Sequence, residues 1–159
     1  VRHSVMGVFQ AMDTFDLPPH TVTKHHAFIP LEKPTRMLSY QPHMHVRGKS
    51  MSIEAIYPNG QVEMLSHVEN FNFNWHVNYV YADDVSPLLP AGTMIKLTAW
   101  LDNTSAIRAN PDPTQWVGGG QRSYDDMYHA HVRNIELAEE EYEKLVRERQ
   151  RAAAADDSD

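Results

Sequence analysis

The side chains of this chain most suited to chemistry are imidazoles. Ten histidines occur among 159 residues, with eight methionines and no cysteine. Without a thiol there is no disulfide framework, no thiolate nucleophile and no Cys-type zinc or iron–sulfur site, so any metal must be held by His, Met or carboxylate. His43-Met44-His45 lies in a run of strand character, where alternate side chains share a face, and both imidazoles can therefore reach one ion. The spacing alone is weak, because about 0.6 His-x-His pairs are expected by chance at this composition. His129-Ala130-His131 is a second pair, and the adjacent His25-His26 point to opposite faces of a strand. On spacing, ligand and structural roles both stay open for His43 and His45.

The flanking residues narrow the chemistry. A cupin would place Glu four or five residues after the second His, where this chain has Lys49 and Ser50. Its second block would place His three residues after the glycine of Pro90-Ala91-Gly92, where Ile95 stands. No His-Glu-x-x-His announces a zinc protease and no Gly-x-Ser-x-Gly a serine hydrolase. The triple glycine Gly118-Gly119-Gly120 reads as a flexible loop rather than a phosphate cradle.

The elements that must position these residues read as an all-β fold. Up to about residue 101, short alternating runs are separated by turn residues, the pattern of a two-sheet sandwich of about eight strands. In Thr93 to Leu101, the residues Ile95, Leu97, Ala99 and Leu101 share one face. Lys49 to Tyr57 runs through Pro58-Asn59-Gly60 into Gln61 to Leu65, a predicted hairpin. Further strands are predicted over Ser4 to Met12, Thr21 to Ile29, Thr35 to Val46, Asn74 to Tyr81 and Met127 to Ile135. Trp75, Tyr79, Tyr81 and Trp100 read as core or pocket walls. Residues 102 to 126 form a long ordered loop.

The predicted division is a sandwich over 1–135, a C-terminal helix over 136–151 and a disordered acidic tail over 152–159. The helix carries Glu140/Lys144 and Glu143/Arg147 at the stabilising i, i+4 spacing. Its apolar positions suit docking on the sandwich or a partner. Residues 136–159 hold nine acids against four bases and so carry most of the formal net charge of −7. That balance disfavours nucleic-acid binding, which needs a basic face. No apolar run approaches the roughly 18 residues of a membrane span. The chain opens at Val1 without a visible leader, so a removed signal or further upstream sequence is expected.

Several strings occur in order over about residues 36 to 130. They are Pro42-His43-Met44-His45-Val46-Arg47-Gly48-Lys49, Tyr57-Pro58-Asn59-Gly60, Phe71-Asn72-Phe73-Asn74-Trp75, Leu89-Pro90-Ala91-Gly92-Thr93, Asp102-Asn103, Asn110-Pro111-Asp112-Pro113 and Asp125-Asp126-Met127. Together they resemble the C-terminal domain of the type II, ascorbate-dependent copper monooxygenases, in particular the bacterial relatives of the peptidylglycine-hydroxylating and dopamine β-monooxygenases. The resemblance implies a jelly-roll-like antiparallel sandwich with one copper ion held by His43, His45 and Met127. Imidazole suits copper in either oxidation state, and a soft thioether favours Cu(I). It further implies oxygen-dependent hydroxylation of a C–H bond in a small-molecule substrate, with ascorbate or another donor supplying electrons, in a periplasmic or secreted location.

The chain also departs from the family. The family's second copper domain has no room here, so catalysis implies a missing domain or partner subunit; the alternative is a non-catalytic copper-binding or structural module in a multisubunit complex. His25-His26 reads as structural or solvent-facing. The peptide-amidating members bind a substrate carboxylate through an Arg and a Tyr whose positions here hold Gln41 and His131, which disfavours peptide amidation. His76, where bacterial relatives often have Gln, reads first as an exposed residue, with an extra ligand or a donor behind the ligands as the alternatives, and His129 and His131, which share the face of Met127 on a regular strand, are candidates to tune the copper from behind its ligands.

Overall fold

Apolar side chains alternating at period two fold this chain into two antiparallel sheets that bury those side chains between them. The computed structural model describes residues 5–10 and 16–156. In chain order the elements are β1 (Val5–Gln10), β2 (Asp16–Leu17), β3 (Val22–Pro30), β4 (Thr35–Met44), β5 (Gly48–Ile56) and β6 (Val62–Val68). They continue with β7 (Tyr79–Val80), β8 (Leu88–Leu89), β9 (Met94–Asp102), β10 (Val117–Gly118), β11 (Tyr128–Glu136) and the helix α1 (Glu139–Asp156). One sheet has the order β1-β11-β4-β7, with β8 also on β4; the other runs β3-β9-β5-β6; β10 and β2 form a small ribbon. The predicted all-β sandwich with a C-terminal helix is the fold.

The core lies between the two larger sheets. Met37, Tyr40, Met44, Ala130 and Val132 come from the first, and Met51, Ile53, Ala55, Ile95, Leu97, Ala99 and Leu101 from the second. The predicted inward face of Ile95, Leu97, Ala99 and Leu101 is wholly buried. Across the layers, the Tyr128 hydroxyl donates to the His26 carbonyl at 3.2 Å. The predicted hairpin joins β5 to β6, and Gly60 takes the left-handed conformation its turn requires, at φ +84°.

Several boundaries differ from expectation. Of the predicted strand over Asn74 to Tyr81, only Tyr79–Val80 pairs. Asn72 turns the chain instead, its side chain accepting the Asn74 N–H at 2.9 Å and its carbonyl the Trp75 N–H at 2.8 Å. That side-chain bond offers the backbone an alternative to a ladder. Trp75 is consequently 73% exposed and Tyr79 40%, so neither is a core wall. Trp100 faces outward from β9 beside Lys24 and His67, while Tyr81 packs on the core.

The helix starts three residues later than predicted, because β11 continues through Glu136, and it extends through Asp156. Ala152 to Ala155 are therefore helical rather than disordered, in keeping with alanine's high helix propensity. Residues 157–159, like Ser4, Ala11 and Met12 of the first predicted strand, lie outside the described residues. Of the two predicted helix pairs, Glu143–Arg147 forms at 3.2 Å, while Lys144 pairs with Glu148 at 3.7 Å instead of Glu140. Arg149 ties α1 to the sandwich through the Ser86 and Asp83 carbonyls, at 2.8 and 3.2 Å.

Asn103, fully buried, is a hub of the loop over 102–126. Asn103 donates to the carbonyls of Pro18 and Gln115 at 3.0 and 2.9 Å and accepts from Arg47 Nε and Asn110 Nδ2 at 3.0 Å each. The triple glycine is part of this arrangement. The Gly118 carbonyl accepts the Asp126 N–H at 3.1 Å, and the Gly120 N–H donates back to the Asp126 carbonyl at 3.0 Å, so the segment is a bonded bridge and not a free loop.

Candidate metal centre

The site lies on the outer face of the β4–β11 pair. In β4, Tyr40, Pro42 and Met44 are buried inward while Gln41 and His43 are half-buried on the other side. In β11, Tyr128, Ala130 and Val132 point inward and His129 and His131 outward. The register sets His129 directly opposite His43, and His131 opposite Gln41. Cross-strand neighbours of this kind have Cβ atoms roughly 5 Å apart, so imidazoles on one face must meet.

They do meet. The His43 ring stacks on His129 at 4.4 Å between centroids and lies 4.8 Å from His76, 5.5 Å from His45 and 5.9 Å from His131. His129 Nε2 and His131 Nε2 are 3.1 Å apart. His43, His129 and His131 each offer a ring nitrogen within 4.8 Å of the other two. Sequence reading ranked His43, His45 and Met127 first and set His129 and His131 behind them. The structure stacks His129 on His43 and groups His131 with them by ring nitrogens within 4.8 Å of one another, through a strand register that no local pattern reveals.

His45 sits just past the end of β4 and is 5% exposed. Its Nδ1 is 3.3 Å from the Asp125 carbonyl. A carbonyl only accepts, so this bond puts the ring proton on Nδ1 and leaves the Nε2 lone pair available to a metal. Met127 is half-buried one residue ahead of β11, and the strand alternation carried back one step assigns it to the side of His129. A single carboxylate oxygen fastens both segments. Oδ1 of Asp126, itself fully buried, accepts the main-chain N–H of His45 at 3.3 Å and of Met127 at 2.9 Å.

The cover over this face comes from residues 71–78. Phe71 and Phe73 each lie 5.5 Å from the His76 ring, and Phe73 lies 5.9 Å from His45. Gln41, which stands where the resemblance places a carboxylate-binding Arg, donates to the His76 carbonyl at 2.9 Å and so holds the cover down. Gly48 permits the close approach: a Cβ there would lie 2.8 Å from Phe71 Cδ1 and 2.5 Å from Met44 Cβ. Sequence reading missed the parts played by Asp126, Gln41 and the two Phe, although all four lie in or next to the quoted strings.

Burial lowers three of the imidazoles, His43, His76 and His129. It holds His43 down at about 3, with the neighbouring His129, His76, His45 and His131 adding to the effect. His129 is lowered to about 4 by burial and then by His131, His45 and His76. His76 is lowered by burial against a hydrogen bond with the Met44 main chain, and its Nε2 is buried with no partner among the described residues. Asp126 is raised to about 6 by burial, opposed by the two N–H groups it holds. Neutral imidazole is the form that binds d-block metals, so the donor set fits such an ion. His25 and His26 lie elsewhere, the first near Tyr128 and Thr23 and the second on Thr98 Oγ1 at 3.0 Å, as their structural reading expected.

No protein-family model and no curated protein matches this chain. Among solved structures, it is similar to a chain in the structure of the infectious bursal disease virus Gt strain, at 11% identity and a TM-score of 0.30. The alignment covers 83% of this chain and 32% of that one, so this chain spans about a third of the viral chain's length. A likeness of that degree carries no argument about function.

Proposed function

We propose that this chain is the copper-binding catalytic domain of an oxygen- and reductant-dependent monooxygenase that hydroxylates a C–H bond in a small-molecule substrate. On this reading it acts with a second copper domain or partner subunit, outside the cytoplasm, in the periplasm or after secretion. The observation that carries the reading is the shared anchor at Asp126, whose one oxygen ties the His45 and Met127 segments together at the end of the strand bearing His43. His43, His45 and Met127 would hold the ion. Bound copper supplies one-electron chemistry toward dioxygen, with ascorbate or another donor as the source of electrons. The protein's own contribution is to keep the His43 imidazole neutral, fix the His45 tautomer through the Asp125 carbonyl and exclude water with Phe71 and Phe73.

The test is X-ray absorption on the Cu(I)-loaded protein. A sulfur scatterer that disappears in Met127→Ala is expected; its absence in the unaltered chain overturns the ligand set. Oxygen consumption by the parent protein supplied with copper and ascorbate tests the activity. A second reading, a non-catalytic copper-binding or structural module in a multisubunit complex, is favoured by the four imidazoles within 5.9 Å of the His43 ring. A closed nitrogen set is the mark of a site without an open position. No oxygen uptake with any substrate panel would favour this module.

A further inference from the structure

We infer that His43, His129 and His131 form an all-imidazole site for a divalent first-row ion, of the Zn2+ or Cu2+ class, with His76 as its fourth donor. The inference does not rest on the monooxygenase reading, with which it shares only His43. Three imidazoles from two adjacent strands converge on one face, each with a ring nitrogen within 4.8 Å of the other two. Two nitrogens bound to one tetrahedral ion at about 2.0–2.1 Å stand about 3.3 Å apart. His129 Nε2 and His131 Nε2 already lie 3.1 Å apart, at ligand spacing. His43 then closes on them by a shift on the order of 1.5 Å, within the reach of a side-chain rotation.

His76 supplies an independent indication. Its Nε2 is buried and has no hydrogen-bond partner among the described residues, and its ring lies 4.8 Å from His43. An orphaned buried nitrogen is unfavourable unless something occupies its lone pair or takes its proton. A metal ion beside three other imidazoles does so. The chemistry of the set names the class of ion: imidazole nitrogens without carboxylate or thiolate favour Zn2+ and Cu2+ and disfavour the oxygen-seeking Ca2+ and Mg2+. The two donor sets compete for His43. A thioether-containing set suits Cu(I), whereas the all-imidazole set has no preference for the reduced ion and binds without Met127.

The experiment is a Zn2+ titration of the full chain by calorimetry, on the unaltered protein and on Met127→Ala, His45→Ala, His129→Ala and His131→Ala. One Zn2+ is expected per chain. Met127→Ala and His45→Ala should bind within about twofold of it, while His129→Ala and His131→Ala should lose at least about tenfold in affinity. Unchanged binding by the His129 and His131 variants, or an equal loss in Met127→Ala, overturns the inference. Should those variants fail to fold by circular dichroism, pulsed electron paramagnetic resonance of the unaltered chain with one equivalent of Cu2+ decides. Three or four coordinated imidazoles support the site, and two or fewer overturn it. Loss of this site with retention of the Cu(I) sulfur scatterer sinks the inference and leaves the monooxygenase ligand set standing; the reverse result does the opposite.

Discussion

His43 and His129 face each other across the β4–β11 ladder with their rings stacked at 4.4 Å. Neither ring is charged near neutrality, since burial holds them at about 3 and about 4, below the ordinary value of 6.5. The unfolded chain therefore takes up more protons than the folded one as the pH falls below about 6.5. Stability from this pair is full above that pH and is lost as the pH falls through about 4 for His129 and about 3 for His43. His76, also lowered, acts with them. Asp126, raised to about 6 from 3.8, acts oppositely between those values, one carboxyl against three imidazoles. Urea midpoints of chelator-treated protein should fall from pH 7 to pH 4.5. A flat or rising midpoint would contradict the assignment of neutral buried rings.

Asp126 should matter to both stability and metal affinity. Asp126→Ala leaves the His45 and Met127 N–H groups without their shared acceptor and should destabilise the fold by about 1–3 kcal/mol. It should also weaken Cu(I) binding by about 10- to 100-fold. Asp126→Asn keeps an acceptor oxygen and should restore most of both. Chelator competition on the two variants checks this, and equal behaviour of Ala and Asn would count against the anchoring role.

Gly48 is set by packing rather than by backbone torsion. Gly48→Ala drives a methyl group into Met44 and Phe71 and should cost about 1–3 kcal/mol. Because Phe71 packs on His76, the same change should expose the His cluster and speed removal of the bound metal by a chelator.

Asn103 is the hub of the long loop. Asn103→Ala removes the acceptor of Arg47 Nε and the donors it supplies to the Gln115 and Pro18 carbonyls, of which Pro18 keeps the Thr21 hydroxyl and Arg47 keeps the Tyr124 carbonyl, and should destabilise the chain by about 1–3 kcal/mol. Limited proteolysis should then cut between residues 104 and 124 faster than in the unaltered chain.

The fold was legible where period-two patterning was strong. Ile95, Leu97, Ala99 and Leu101 are buried as the alternation of β9 requires, and Pro58-Asn59-Gly60 turns the hairpin. It was illegible where side chains compete with the ladder, as Asn72 does at Trp75. For the site, the spacing and context of His43 and His45 marked them as candidate ligands, and the alternation of β4 puts His43 on its outer face. The opposition of His43 to His129 was not, because pairing residues 86 positions apart depends on register, which the whole sheet decides. Asp126 went unnoticed for a related reason: its partners are backbone N–H groups, which leave no mark in a sequence.

The pleat of β4 and β11 divides the labour of these strands residue by residue. Tyr40, Met44, Ala130 and Val132 belong to the core, and His43, His129 and His131 to the opposite face. Substitutions on the imidazole side leave the interior packing untouched. Exchange of one imidazole for another side chain therefore alters the chemistry of the outer face without changing which residues fill the interior.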